Sequence, residues 1–322
     1  MHKVTFWILF VSALHCAGQE NISDSLHLLN PVTIQASRLS RFSAGIHIER
    51  LDSSLVQMHG NVSLSTLVSE YTPALVRSYG TGGLSTLSFR GTQTTQSGVF
   101  WNGFNLNQPN MGMTDLSEVP VFFFNEIDVQ YGGASALYGS GVMGGSLHLA
   151  NSSPFLTPYR GNISVSAGSF SDYTLAAKVN AGNSRLAWSS ALYGNTDRNN
   201  FRYRNLYNSY EHLDHAQSSA QGIIQQFAYR IRPNQTLTVA AWWQRTDRQL
   251  PATLVMFSSD QRQVDQAFRS AVLWESLTVR SQVQVRAAFF AEQLHFTSPV
   301  ALIDAMYRLN TVATEAEYKR QL

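Results

Sequence analysis

The 322-residue chain carries 14% charged and 44% hydrophobic residues, and its charge content lies well below the ~25% of an average soluble domain. A formal charge of +2 with only three lysines leaves no sustained basic patch, which argues against a nucleic-acid binder. An aromatic content of 11% is too high for a disordered chain, and the one cysteine, Cys16, excludes a disulfide framework and any multi-cysteine metal site.

The chain opens with Met1-His2-Lys3, an apolar run over 4–14 and the small residues Cys16-Ala17-Gly18. This pattern predicts a signal peptide over 1–18, cleaved before Gln19. The run is too short to span a bilayer, and Leu14-His15 lacks the small residue that a lipoprotein site needs before Cys16. No later stretch is apolar enough for a spanning helix, so any membrane crossing must use strands. Next, 52–59 reads as a short helix with Asp52 as N-cap and Gly60 as terminator. A second helix is predicted over 63–71, with Leu64, Leu67, Val68 and Tyr71 on one face and Pro73 as its stop. Strands are predicted at 86–90, 99–101 and 126–130, with a turn at Asn102-Gly103. Asp115-Leu-Ser-Glu118 resembles a capping box. These elements describe a small α+β domain.

From Pro154 onward the texture is alternation. In 281–292, Val283, Val285, Ala287, Phe289 and Ala291 fall on one face, and Gln282, Gln284, Arg286, Phe290 and Glu292 fall on the other. Similar segments occupy 162–167, 174–181, 187–193 and 235–243. A soluble sandwich alternates too. A membrane barrel is favoured by the Gln, Asn, Arg and Ser of the polar face, which suit a wet lumen. Trp242-Trp243, Tyr193, Phe201 and Tyr203 read as its aromatic girdle. Tight reversals at 182–184 and 232–234 contrast with long connections over 196–219 and 248–265. That asymmetry is the outer-membrane arrangement, with the long loops facing outward.

Gly139-Ser-Gly141-Val-Met-Gly144 matches the dinucleotide fingerprint, but a β-like run follows the third glycine and no acidic residue lies ~20 residues on. His148, His212 and His215 have no convincing ligand set around them, and no nucleophile elbow occurs. No catalytic residue, metal or cofactor is expected.

Two segments carry a family resemblance. Leu84-Ser-Thr-Leu-Ser-Phe-Arg-Gly91, followed by Val99-Phe-Trp-Asn-Gly-Phe-Asn-Leu106, resembles the plug-domain pattern of TonB-dependent outer-membrane receptors, with Asn102 in place of the usual aspartate. The stretch from Glu126-Ile-Asp-Val-Gln-Tyr-Gly-Gly to Gly-Gly-Ser-Leu-His-Leu149 is similar to the end of that plug, with Gly133 in place of a proline. The segment Pro31, Val32, Thr33, Ile34, Gln35, Ala36, Ser37 is similar to the family's TonB box. Its alternating Val32 and Ile34 suit strand addition to a partner. Tyr79-Gly-Thr-Gly-Gly-Leu-Ser-Thr and Asp115-Leu-Ser-Glu-Val-Pro120 look like plug segments of cobalamin receptors within the family.

The resemblance implies an α+β plug over 41–153, preceded by a periplasmic segment over 19–40. An antiparallel transmembrane β-barrel of the 22-stranded, all-β type follows. Residues 154–322 are too few for that many strands, so they are expected to be its N-terminal part, the chain being truncated. The implied activity is TonB-dependent active transport of a scarce nutrient, cobalamin, haem or a ferric siderophore, across the Gram-negative outer membrane, with no covalent chemistry. The implied partners are a TonB-type periplasmic protein acting on 31–37, outer-membrane lipid and the small-molecule ligand. By the same likeness, ligand meets the apical loops 78–83 and 105–114 through Tyr79, Gly80, Thr81, Asn105, Asn107, Gln108, Asn110 and Met111. Tyr203 and Tyr207 would join them from the outer loop. Two other classes share parts of this pattern. A ligand-sensing receptor that signals without import would carry a further periplasmic domain before the box, and a surface adhesion protein would need no box.

Overall fold

A computed structural model describes residues 46–133, 135–139, 141–151, 155–253 and 258–320. The predicted leader and the TonB-box segment 31–37 lie outside them. Among the described residues no helix is long and apolar enough to cross a membrane, a fact that does not bear on strands.

The chain enters on strand β1 (His47–Arg50) and helix α1 (Ser53–Met58), where Asp52 caps the helix by accepting the Ser54 N–H at 2.7 Å. Helix α2 (Leu64–Tyr71) buries Leu64, Leu67 and Val68, the face set by their spacing, while Tyr71 stays at the surface with its hydroxyl 2.8 Å from His59 Nε2. Strands β2 (Leu75–Ser78) and β3 (Ser85–Ser88) form a hairpin around residues 79–84. Strands β4 (Ser97–Trp101) and β5 (Phe104–Asn105) turn at Asn102-Gly103 with φ of 49° and 84°, the geometry an Asn-Gly hairpin adopts. Strand β6 (Glu126–Tyr131), helix α3 (Ser135–Tyr138) and strand β7 (Gly145–Ala150) complete the domain. The main sheet runs β1-β6-β7-β4-β5, with only β4 and β7 parallel. The glycine triplet at 139–144 thus leads into strand β7 and not into a helix. Burial holds His148 neutral, down to about 4, between Phe100 and Tyr138.

The second part is a wall of eight long strands. They are β8 (Arg160–Ala167), β9 (Tyr173–Gly182), β10 (Leu186–Asp197), β13 (Ser218–Arg232), β14 (Gln235–Leu250), β15 (Gln261–Leu277), β16 (Ser281–Ser298) and β17 (Ile303–Arg320), each antiparallel to the next. The small hairpin of β11 (Arg202–Arg204) and β12 (Tyr210–His212) stands in the loop between β10 and β13. Strand connections alternate between short turns at 183–185, 233–234 and 278–280 and longer ones at 198–217 and 251–260 on the opposite end. The alternation read in 281–292 holds: Val285 and Phe289 face outward, and Ala288 and Phe290 are buried against the plug.

Two features differ from the sequence reading. The connection expected over 248–265 is shortened to 251–260, because β14 runs to Leu250 and β15 begins at Gln261. There both faces are polar, so no hydrophobic contrast marks the strand. Trp242 and Tyr193 are not girdle residues. Trp242 is fully buried and faces the plug, because its position in the register puts it on the inner face. The outer aromatic edge is formed instead by its neighbour Trp243 with Phe268, and the inner edge by Tyr229 and Trp274. Phe201 packs edge-on against Phe170 of the neighbouring outer turn.

Candidate functional site

The site begins where the plug meets the inner face of the wall. One continuous buried core joins Trp101, Phe123 and Phe124 of the plug to Ile224, Ala240, Trp242, Ala271, Ala288 and Phe290 of the wall. Trp242 is its centre, edge-on to Trp101 and Phe124 at 5.6 Å and to Phe123 at 6.0 Å, with the Arg269 guanidinium 4.4 Å from its ring centroid. Glu292 holds Arg269 in place through Nε at 2.8 Å.

Around this core, wall side chains donate to the plug backbone. Gln244 Nε2 donates to the Glu118 carbonyl and Gln226 Nε2 to the Asn151 carbonyl, both at 3.0 Å. Lys178 Nζ donates to Asn125 Oδ1 and lies 3.5 Å from the Phe122 carbonyl. Each bond satisfies a plug acceptor that the barrel would otherwise leave dry.

Toward the outer end of β14 the contact becomes ionic. Arg248, expected in a loop, projects from the strand and is 5% exposed. Its Nη1 donates to Asp115 Oδ2 at 2.8 Å, and its Nη2 lies 2.9 Å from Glu118 Oε1 and 3.6 Å from Asp265 Oδ2. The Asp115-x-x-Glu118 pattern is therefore not a capping box. Asp115 does cap the short turn by accepting from Ser117 N–H at 3.0 Å and also accepts from Ser85 N–H at 2.9 Å, but Glu118 turns to the wall. Three carboxylates on one guanidinium leave an excess of negative charge. Burial, then the neighbouring Asp265, pushes the Glu118 carboxyl well above the ordinary carboxylate range against the pull of Arg248. The signal for Arg248 and Asp265 was the same parity rule that marked the inner face further down the strands, but it had to be carried past the end of the apolar pattern.

The two apical loops sit beside this cluster. In 105–114, the Asn107 side chain donates to the carbonyls of Ser97 and Gly112 at 2.9 and 3.2 Å and accepts from Val99 N–H and Thr114 Oγ1 at 3.3 and 3.0 Å. Its amide shapes the loop. Asn105 accepts from the Asn107 N–H at 2.8 Å, and Asn110 is exposed. Gln108 and Met111 line a cavity of about 20 Å³ together with Leu84, Asp115, Arg248 and Asp265. In the other loop, Tyr79 is 60% exposed, Gly80 has a φ of 96° and Thr81 is half-buried. A Cβ on Gly82 would fall 2.9 Å from the Gln249 carbonyl oxygen, so this loop leans on the outer end of β14. Tyr203 and Tyr207 lie apart on the β11–β12 hairpin: the Tyr203 hydroxyl donates to Glu211 at 3.2 Å, and Tyr207 is 83% exposed at the tip.

Residues 40–146 match the TonB-dependent receptor plug domain family. The chain is 33% identical over 70 residues to the vitamin B12 transporter of Vibrio vulnificus and 30% identical over 115 residues to that of Photobacterium profundum. These alignments cover 22% and 35% of this chain, and 11% and 18% of those proteins. Among solved structures, the ferric yersiniabactin uptake receptor of Yersinia pestis superposes with a TM-score of 0.69 at 15% identity, covering 87% of this chain and 46% of that receptor. The siderophore receptor PiuA of Acinetobacter baumannii superposes with a TM-score of 0.66 at 14% identity, covering 86% and 43%. The chain thus spans less than half of each of these receptors. It carries the plug domain of a TonB-dependent receptor, followed by eight strands of the barrel wall. Receptors of this class reside in the outer membrane of Gram-negative bacteria.

Proposed function

We propose that the protein imports a scarce nutrient across the outer membrane, driven by a TonB-type periplasmic protein that pairs with residues 31–37. The observation that carries this reading is the dry, bonded contact between plug and wall. With Trp242 and Phe290 packed on Trp101 and Arg248 clasped by Asp115 and Glu118, plug and wall are closed against each other here among the described residues. Ligand crosses only if the plug shifts, and that shift needs work from outside the barrel. Cobalamin is the ligand favoured by the plug, because the sequence relatives that share it are vitamin B12 transporters; a ferric siderophore or haem is the alternative on fold alone.

Ile34→Pro tests the coupling. Proline removes one main-chain donor and fixes φ in the middle of the pairing segment. Uptake of labelled cobalamin by cells carrying the full receptor is expected to fall to background, with equilibrium binding at the cell surface unchanged. Normal uptake by this variant would remove the coupling role of 31–37 and leave passive binding as the reading.

A further inference from the structure

The outward face of the wall changes character in a single step. Along the outer border of the apolar band, one cross-strand row contains Ile223, Trp243, Phe268 and Ala291 and closes on Asn310 of β17. The next outward-facing row, two residues further from the membrane centre, consists of Gln221, Arg245, Gln266, Gln293 and Arg308. From Val283 to Ala291 the band measures about 27 Å along β16 at ~3.4 Å per residue, in keeping with a tilted strand crossing the ~25 Å apolar zone of such barrels. The arginine row therefore stands at the depth of the outer-leaflet head groups.

Beyond that row, Asp247 organises two guanidiniums. Arg262 donates to it through Nε at 2.7 Å and Nη2 at 2.5 Å, and Arg245 Nη2 lies 3.7 Å from the same carboxylate. One carboxylate cannot neutralise both. Among the described contacts none uses Nη1 of Arg262, whose side chain is 55% exposed. A polar groove of about 290 Å³ opens beside it, lined by Gln217, Ser219, Asp247, Gln249 and Arg262. A guanidinium gripped on one edge and open on the other is pre-organised for an oxyanion.

We propose that Arg245, Arg262 and Arg308, with the amides of Gln266 and Gln293 between them, form a lipid-facing rim that binds the phosphate groups of the glycolipid in the outer leaflet. Charge complementarity selects this occupant: the rim has cations and amide donors where the membrane has phosphates, directly above the aromatic border of Trp243 and Phe268. Asp247 acts as a positioning residue for the two arginines. The inference rests on the wall being embedded in the membrane, and it does not depend on which nutrient is carried.

The test uses the full receptor in detergent, titrated with bisphosphorylated lipid A and with the same lipid stripped of phosphate, and read by native mass spectrometry. The parent is expected to hold the phosphorylated lipid at least tenfold more tightly, and R245Q/R262Q to lose about tenfold in affinity, which corresponds to ~1.4 kcal/mol. Gln293→Glu, which places a carboxylate directly opposite Arg308 and leaves all three arginines in the chain, should weaken binding in the same direction and guards against a folding defect in the double variant. Three results would overturn the proposal: unchanged binding in both variants, equal retention of the stripped lipid, or release of the bound lipid by millimolar inorganic phosphate, which marks a simple anion site. Nutrient uptake is measured in parallel, so that a failure of the import reading with lipid binding intact is distinguishable.

Discussion

Strand β14 has two faces that obey different rules. Its outward residues Leu237, Val239, Ala241 and Trp243 meet lipid, a solvent that asks only for apolarity. Its inward residues Trp242, Gln244, Thr246 and Arg248 meet one particular plug, and three of the four make a named contact with it: an edge-on ring stack, a bond to a carbonyl and an ion pair. Neighbours in sequence therefore differ in how replaceable they are. The outward set tolerates any residue of the right polarity, whereas the inward set is specified by shape and donor position. A slip of one residue in register would exchange the two sets entirely.

The largest test of this contrast is Trp242→Ala, which opens a cavity among Trp101, Phe123 and Phe124. It is expected to destabilise the seated plug by ~3–5 kcal/mol, read as a lower urea midpoint for plug release from the intact barrel. Trp243→Ala on the adjacent outward position should shift that midpoint little, and equal shifts would break the distinction.

A charge sharpens the same contrast. Val285→Arg puts a cation on the lipid face at a cost of up to ~2–4 kcal/mol, the midplane figure. Gln284→Arg points the same charge at the inner face, where Gln284 already donates to Glu275 Oε1 at 2.9 Å. The first variant should fold poorly into membranes and the second normally; similar folding yields would defeat the face assignment.

A smaller effect concerns pH. The Glu118 carboxyl is pushed up in the folded protein, so it binds its proton more tightly there than in the released plug. Its contribution to seating is complete below the ordinary carboxylate range and is lost as pH rises through the raised value. The urea midpoint for plug release should accordingly decline over that interval in the parent, and Glu118→Gln should flatten the decline. A flat profile in the parent would show that Arg248 alone balances the cluster.

The smallest structural effect is expected at the apex. Tyr79 is exposed, so Tyr79→Ala should leave receptor abundance and plug stability within about 0.5 kcal/mol of the parent while weakening ligand binding through lost contact area. Disappearance of the protein with binding per receptor unchanged would make Tyr79 a structural residue.

How much of this was legible in the sequence followed from where contrast exists. Helix α1 announced itself through its cap Asp52, and helix α2 through Leu64, Leu67 and Val68 recurring at helical spacing, with Ser63 turning out to be its cap and not its first residue. Strands β8, β9, β10, β14 and β16 were legible in part from their alternation, whereas β13 and β15 were not singled out. Beyond the membrane that contrast vanishes, which is why Gln261-Arg-Gln-Val-Asp read as loop although it is paired along β14 and β16. Strand β1 was missed because His47-Ile-Glu-Arg50 has no pattern of its own; its place at the sheet edge is set by β6, with Arg50 gripping Asp128 at 2.7 and 2.9 Å. The ionic seat was missed for a related reason. Asp115 and Glu118 are spaced like a local cap, and only the register of β14 reveals that Arg248 competes for them.

The adjacency of Trp242 and Trp243 supplies the protein with a pair of intrinsic optical probes. One indole is fully enclosed by plug rings and the other is 37% exposed on the bilayer side. Their emission therefore separates by environment: a brominated acyl chain reaches Trp243 and not Trp242, whereas water admitted by a displaced plug reaches Trp242 first. With the other tryptophans of the chain replaced by phenylalanine, a red shift that survives after lipid quenching would thus report the departure of the plug from this stretch of wall.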